Sequence, residues 1–374
     1  MTSPLYGQVV AGPPGSGKTT YCTGMQEYLR LLGREAFVIN LDPANEHPKK
    51  LKNEDSDEEN NNSLPYDTLL DVCDSVVNLS SVMQQLGLGP NGGLVYCMEY
   101  LEAHVDELVE MIRERAAEHA NPYLLFDLPG QVELYSHTTA VPRLLEKLVK
   151  VLDLRLVAIQ LIDSHYCTEP ANFLSAALLG TTTMLRLELP TVSVLSKIDL
   201  LANYGPLPFS LEYFTECYEL ERLLPYLQNQ DGIQEDEVGT HDEFTYADDA
   251  DYQQARRRTR SSPFFRKHEK LHRVLAEVVD EFGLLSFLPL DISDAQSVGR
   301  VLAKIDKCNG YIFLDNGKSS NTQDLFQCAV QSDHTSNYEA IADIEEKLAA
   351  SRESNQLLPT HTNQDTIFEK EQDR

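Results

Sequence analysis

The chain has no C-x-x-C pair, no long apolar run and no excess of positive charge, and each absence removes a class of function. Its seven cysteines, at positions 22, 73, 97, 167, 217, 308 and 328, are scattered and odd in number. That excludes a disulfide framework and a zinc finger and fits a reducing compartment. No apolar stretch approaches the roughly 18 residues that a membrane-spanning helix needs. The first residues show no basic-then-apolar leader pattern. These features predict a soluble protein of the cytoplasm, able to visit the nucleus, with no membrane partner. Lysine and arginine number 31 against 59 acidic residues, a net charge of −28, so nucleic acid is a poor direct ligand.

The acidity is concentrated in three places. Residues 53–63 carry five acids and no base, residues 231–251 nine acids and no base, and residues 315–374 twelve acids against five bases. Such stretches read as solvated, unpatterned chain. The basic run Arg256–Arg260 closes the second stretch and balances it. Elsewhere strand-like and helical runs alternate. Gly7–Ala11, Ala36–Leu41, Tyr123–Asp127, Leu156–Ile162, Thr191–Ser196 and Leu284–Leu290 are predicted strands, rich in Val, Leu and Ile. Their apolar residues run on without alternation, as in strands covered on both faces. Between them, Lys18–Leu32, Glu99–Ala117, Arg143–Val151, Ala171–Arg186, Leu211–Leu227, Phe264–Phe282 and Ala295–Asn309 have helical spacing. The order predicts an α/β fold, a mostly parallel sheet with helices on both faces and right-handed crossovers. The 374 residues then divide into one domain over 1–314, interrupted by polar insertions at about 47–63 and 228–262, and an acidic, disordered tail over 315–374 with weak helical periodicity near Tyr338–Leu348.

The chemistry starts at GPPGSGKTT, Gly12–Thr20, which follows one apolar strand and opens a helix. This is the context and spacing of a phosphate-binding P-loop. Glycines let the loop curl so that backbone N–H groups point at phosphate oxygens, and the helix N-terminus adds its positive dipole end. Gly15, Ser16, Gly17, Lys18, Thr19 and Thr20 are the expected nucleotide contacts. Lys18 reaches the β- and γ-phosphates and Thr19 offers its hydroxyl to Mg²⁺.

Further motifs sit at predicted strand ends, where open α/β sheets bind ligands. In DLPGQVE, Asp127 suits a Mg²⁺-binding carboxylate, Gly130 a bare N–H near the γ-phosphate, and Gln131 resembles the water-orienting glutamine of signalling GTPases. In NLDPANE, Asp42 is a candidate for the Mg²⁺ shell or the attacking water, besides its plain reading as a turn-forming Asp-Pro. Asp42, Gln131 and Glu133 are all candidates for ordering water, and the sequence does not rank them. In LSKID, Ser196, Lys197, Ile198 and Asp199 suit a base site. The Asp199 carboxylate accepts the two adjacent donors of guanine, and Lys197 lays its stem on the ring. GTP and GDP are therefore the expected ligands. Gly89-Pro90-Asn91 is, by composition, a turn signal.

Taken in order, GPPGSGKTT, NLDPAN, LGPNGG, DLPGQVE and LSKID resemble the GPN-loop GTPases, from Tyr6 to about Leu314 without the two insertions. Asp163–Pro170 and Ser262–Leu271 are similar to the second of the three eukaryotic paralogues. The resemblance implies a P-loop GTPase of the dimerising class, working as a homodimer or as a heterodimer with paralogues. It implies that the Gly89-Pro90-Asn91 loop reaches the partner's nucleotide, with Asn91 stabilising the leaving phosphate at a modest rate, since a neutral donor cannot replace an arginine. It also implies a role in assembling RNA polymerase II, and by extension III, before nuclear import. Two other readings are weighed. A P-loop nucleoside or polynucleotide kinase has no need of Gln131 or of guanine selectivity. A metal-insertion GTPase wants a His/Cys cluster, and here the ten histidines are dispersed, His165 near Cys167 being too thin a site.

Overall fold

The computed structural model describes residues 4–45, 64–204, 207–227, 263–311, 338–339 and 341–347. The insertions read at 47–63 and 228–262 and most of the acidic tail lie outside the described residues.

Seven strands form one sheet: β1 (Leu5–Ala11), β2 (Ala36–Asn40), β3 (Thr68–Asp71), β4 (Tyr123–Asp127), β5 (Leu154–Asp163), β6 (Thr191–Ser196) and β7 (Phe287–Pro289). Their order is β3-β2-β4-β1-β5-β6-β7, and every pairing is parallel. β1 is central, and chain order reverses around it.

Successive residues of each strand feed opposite layers. Val10, Val38, Leu125 and Ile159 pack beneath α1 (Lys18–Leu31), which contributes Tyr21, Cys22, Met25 and Leu29. Val9, Ile39, Phe126 and Leu156 face the other way. They meet Leu94, Met98 and Leu101 of α4 (Pro90–Ala103), Leu108 and Ile112 of α5 (Val105–Ala116), and Leu144 and Leu148 of α7 (Ala140–Leu152). Ile162 and Leu195 extend that face toward Phe173 and Ala177 of α8 (Pro170–Leu187), Phe214 of α9 (Leu211–Glu216), and Ala276 and Val279 of α10 (Pro263–Phe282). The first layer is completed by Val298, Val301 and Ile305 of α11 (Ala295–Asn309). Short helices α2 (Val72–Ser75), α3 (Leu79–Leu86) and α6 (Glu133–Ser136) fill the connections.

Three expectations are corrected. The sheet has an edge strand, β3, whose TLLD is too short to stand out from its polar surroundings. The helix expected over Glu99–Ala117 is two helices that meet at His104, and α4 begins far earlier, at Pro90. Gly89 caps it and Pro90 takes the first position, where a missing N–H costs nothing. The GPN triplet is therefore a helix start rather than a free-standing turn. The helix expected over Leu211–Leu227 stops at Glu216, because Cys217 and Glu219 adopt φ of 51° and 55°; a 3-10 stretch with Pro225 inside follows.

A part of the tail lies against the domain. Residues 338–339 and 341–347 are helical. Ile341 is buried, and Ile344 half-buried, in the cluster that contains Phe209, Leu211, Leu285 and Phe287. Tyr338 Oη donates to Glu216 Oε1 at 2.7 Å, and Glu345 Oε1 accepts the Leu211 N–H at 2.9 Å, at the start of α9.

Candidate active site

Strand register brings the site's residues to one edge of the sheet. Val10 and Asn40 both pair with Asp127, and Asn40 also pairs with Asp71. On the other side of β1, Asp163 pairs with Ser196. The crevice lies at the topological switch around β1, where parallel sheets hold ligands.

The phosphate loop leaves β1 at Gly12. A Cβ there would sit 2.5 Å from Leu161 O and 2.7 Å from Ser16 Oγ, so no larger residue fits. The loop is closed by the Ser16 N–H to Pro13 O, at 3.2 Å, and Gly17 caps α1 with φ 89°. Lys18 is nearly buried, and its Nζ donates to Gly12 O at 3.1 Å and Pro13 O at 3.2 Å. Burial pushes the lysine's pKa down, opposed by the charges of Asp127 and Asp42. Gly130 comes so close that a Cβ would lie 3.0 Å from Lys18 Nζ and 3.3 Å from Pro14 Cα. The turn after β4 is thus pressed onto the phosphate loop at Gly130. Thr20 is exposed one residue beyond Thr19.

Thr19 and Asp127 meet: Thr19 Oγ1 donates to Asp127 Oδ2 at 3.4 Å. Asp127 is 2% exposed, and burial pushes its carboxyl up to about 6 against the opposing effects of Tyr66, Lys18 and Thr19. Burial also raises Asp42, whose charge interacts with Lys18 and Asp127. Asp42 also forms the turn, its Oδ1 accepting the Ala44 N–H at 2.9 Å. Thr19, Asp127 and Asp42 make an all-oxygen donor set beside a buried lysine. It fits a hard divalent cation such as Mg²⁺, which takes oxygen ligands and keeps part of its water shell.

At the far side of the loop, Ser196 Oγ donates to Ser16 O at 2.8 Å and Ile162 O at 3.1 Å. Ser196 thus ties β6 to the phosphate loop, and its hydroxyl is committed to backbone rather than aimed at a base. Lys197 has φ 56°, and its Nζ donates to Gly15 O at 2.5 Å and Asp163 Oδ2 at 2.7 Å, laying the side chain across the loop. Ile198 is buried and Asp199 exposed. Asp199 opens onto a cavity of about 110 Å³ that Asp291, Arg300 and Ile344 also line.

The remaining expected residues lie apart. Asn91 is exposed in the first turn of α4, and its side chain makes no hydrogen bond to the phosphate loop among the described residues. Gln131 is half-buried in the turn after Gly130, and Glu133 is exposed at the start of α6.

Three contributors were not foreseen. Asp163 holds Lys197. The Asn40 side chain accepts the Asp42 N–H at 3.1 Å and donates to Asp71 Oδ1 at 2.9 Å, fixing the Asp42 turn from below. Tyr66, buried, donates from its Oη to Asp127 Oδ2 at 3.1 Å. A strand-end polar residue is a usable signal for Asp163 and Asn40; nothing local marks Tyr66.

Residues 10–311 match a family model described as a conserved hypothetical ATP binding protein. The chain is 42% identical over 328 residues to GPN-loop GTPase 2 of Danio rerio, covering 88% of each chain. It is 40% identical over 344 residues to GPN-loop GTPase QQT1 of Arabidopsis thaliana, covering 92% of this chain and 97% of that one. To GPN-loop GTPase 2 of Saccharomyces cerevisiae it is 36% identical over 308 residues, 82% of this chain and 75% of the other. Its fold is similar to a crystal structure titled as a GTPase in apo form from Pyrococcus abyssi, with TM-score 0.52, 20% identity, and coverage of 81% and 97%. The ordered motifs, the parallel sheet that gathers them and these relatives agree: the chain belongs to the GPN-loop GTPase family.

Proposed function

We propose that the protein binds GTP with Mg²⁺, hydrolyses it to GDP and phosphate, and acts as a switch in a homodimer or in a heterodimer with a paralogous GPN-loop protein. One observation carries the reading: Lys18, Gly130, Thr19 and Asp127 converge at one end of the phosphate loop, and Asp199 stands exposed past Lys197 at the other. Lys18 and the loop amides neutralise phosphate charge. Thr19 and Asp127, with Asp42 beside them, hold the cation, whose role is to withdraw charge from the phosphates during transfer. Asp42 lies within reach of Lys18's field and Gln131 directly follows Gly130, so these two order the attacking water ahead of the exposed Glu133. Asn91, exposed at the start of α4, serves the second copy's nucleotide as a donor supplied in trans.

The family model's description speaks of ATP, whereas the relatives are named as GTPases. Asp199 supports guanine, because adenine lacks the adjacent donor pair that a carboxylate accepts. Turnover of labelled GTP and ATP by the full chain, with Mg²⁺ and with EDTA, tests the reading. GTP should be preferred, phosphate should be released to water, and EDTA should stop it. Preference for ATP, or label on an acceptor other than water, rejects it. For the biological role we carry the family resemblance forward: assembly of RNA polymerase II in the cytoplasm before nuclear import. Depletion should leave the polymerase's large subunits outside the nucleus; normal nuclear localisation rejects that role.

A further inference from the structure

Asp127 Oδ2 receives two hydrogen bonds, one from Thr19 of the phosphate loop and one from Tyr66, which comes from an unrelated part of the chain. Tyr66 is 6% exposed and packs in the layer under α1 with Tyr21, Cys22 and Met25. Its position is not left to packing alone. The next residue, Asp67, is clasped by the Gln26 side chain of α1: the Asp67 N–H donates to Gln26 Oε1 at 2.9 Å and Gln26 Nε2 donates back to Asp67 O at 2.9 Å. Asp67 O also accepts the Val38 N–H at 3.1 Å, and the Asp67 carboxylate pairs with Arg30 at 2.5 Å. The helix that starts at the phosphate loop therefore sets where Tyr66 stands, two turns on from Thr19.

We propose that Tyr66 is a positioning residue for the metal carboxylate: its phenol and the Gln26–Asp67 clasp fix the rotation of Asp127, so that one carboxylate oxygen is occupied by protein donors and the other is presented to the Mg²⁺ shell. A neutral phenol is a hydrogen-bond donor that adds no charge, so it orients the carboxylate without competing for the cation. Orientation matters because Mg²⁺ demands near-ideal octahedral geometry and tolerates little drift in the groups around its waters. Groups that orient such ligands typically change metal affinity about 10–100-fold when removed.

The proposal rests on reading Asp127 as the metal carboxylate, and the experiment separates the two. Mn²⁺ binding to the GDP-loaded full chain is measured from the paramagnetic-resonance signal of free Mn²⁺, for the parent, Tyr66→Phe, Gln26→Met and Asp127→Asn. Tyr66→Phe keeps the ring and removes only the hydroxyl. It should weaken Mn²⁺ about tenfold, and leave GDP affinity in EDTA within about twofold of the parent; a purely structural role would weaken GDP in EDTA as well. Gln26→Met should shift Mn²⁺ affinity in the same direction. If both variants bind Mn²⁺ like the parent while Asp127→Asn loses it, Tyr66 is overturned and the metal site stands. If Asp127→Asn also binds normally, both readings fall.

Discussion

Two carboxylates beyond the sheet's carboxyl edge, Asp127 at the end of β4 and Asp199 three residues past β6, differ in their surroundings. Asp127 is buried, while Asp199 is exposed. Burial raises Asp127 from the ordinary carboxylate range to about 6. Between roughly pH 4 and 6 the folded, metal-free protein then holds more protons than the unfolded chain, so this group's contribution makes stability fall as pH rises through that window. The cost of the ionised, metal-free carboxylate is on the order of 3 kcal/mol at neutral pH. In EDTA, Asp127→Asn should therefore be more stable to urea than the parent at pH 7.5, with the difference shrinking at pH 5; equal midpoints at both values contradict the burial argument. Asp199, being exposed, makes its prediction through recognition. Asp199→Asn should shift preference from GTP toward xanthosine triphosphate, and unchanged GTP preference in competition binding removes LSKID from the base site. The residues that the structure gathers at the phosphate loop were legible: Gly12, Lys18, Thr19 and Asp127 announce themselves by type and spacing. Tyr66 was not, because it meets Asp127 across 61 residues and through a side chain common in cores. At Ser196 the sequence marks the strand end but not the side chain's partner, since its hydroxyl turns to the Ser16 carbonyl.

At the scale of elements, buried strands were easy to read and interruptions were not. β1, β4 and β6 are buried along almost their whole length because both faces are covered, and their Val, Leu and Phe runs carry that pattern in sequence. The α4–α5 break at His104 leaves no trace, since the apolar stripe continues from Leu101 to Val105 and Leu108. Likewise Leu220, Leu223 and Leu224 keep helical spacing beyond α9, although left-handed Cys217 and Glu219 end the helix. The 341–347 segment owes its place to Ile341 and to Glu345 on the first N–H of α9. A carboxylate at a helix N-terminus is favourable, and a buried isoleucine contributes about 2 kcal/mol. Ile341→Asp should release the segment, seen as a loss of amide-exchange protection over 341–347 with protection in α9 beyond its first turn unchanged. Equal protection in the two proteins would show that Ile341 does not anchor it.

For the molecule as a whole, the central β1 joins two halves that contribute different parts of the site. The β2–β3–β4 side supplies Asp42, Tyr66 and Asp127, and the β5–β6 side supplies Asp163, Lys197 and Asp199. Arg34, just past α1, locks onto Asp306 of α11 through two hydrogen bonds of 3.0 and 2.6 Å, and its guanidinium lies 3.9 Å from the Tyr311 ring centroid. The pair joins the end of α1 to α11 in the same layer over the sheet. Asn91 is exposed in the first turn of α4. GTP turnover per chain, measured across protein concentrations that span assembly, tests whether that exposed residue completes a second copy's pocket. Turnover should climb as copies pair, and Asn91→Ala should flatten the climb while GTP affinity holds; turnover independent of concentration in the parent would contradict it.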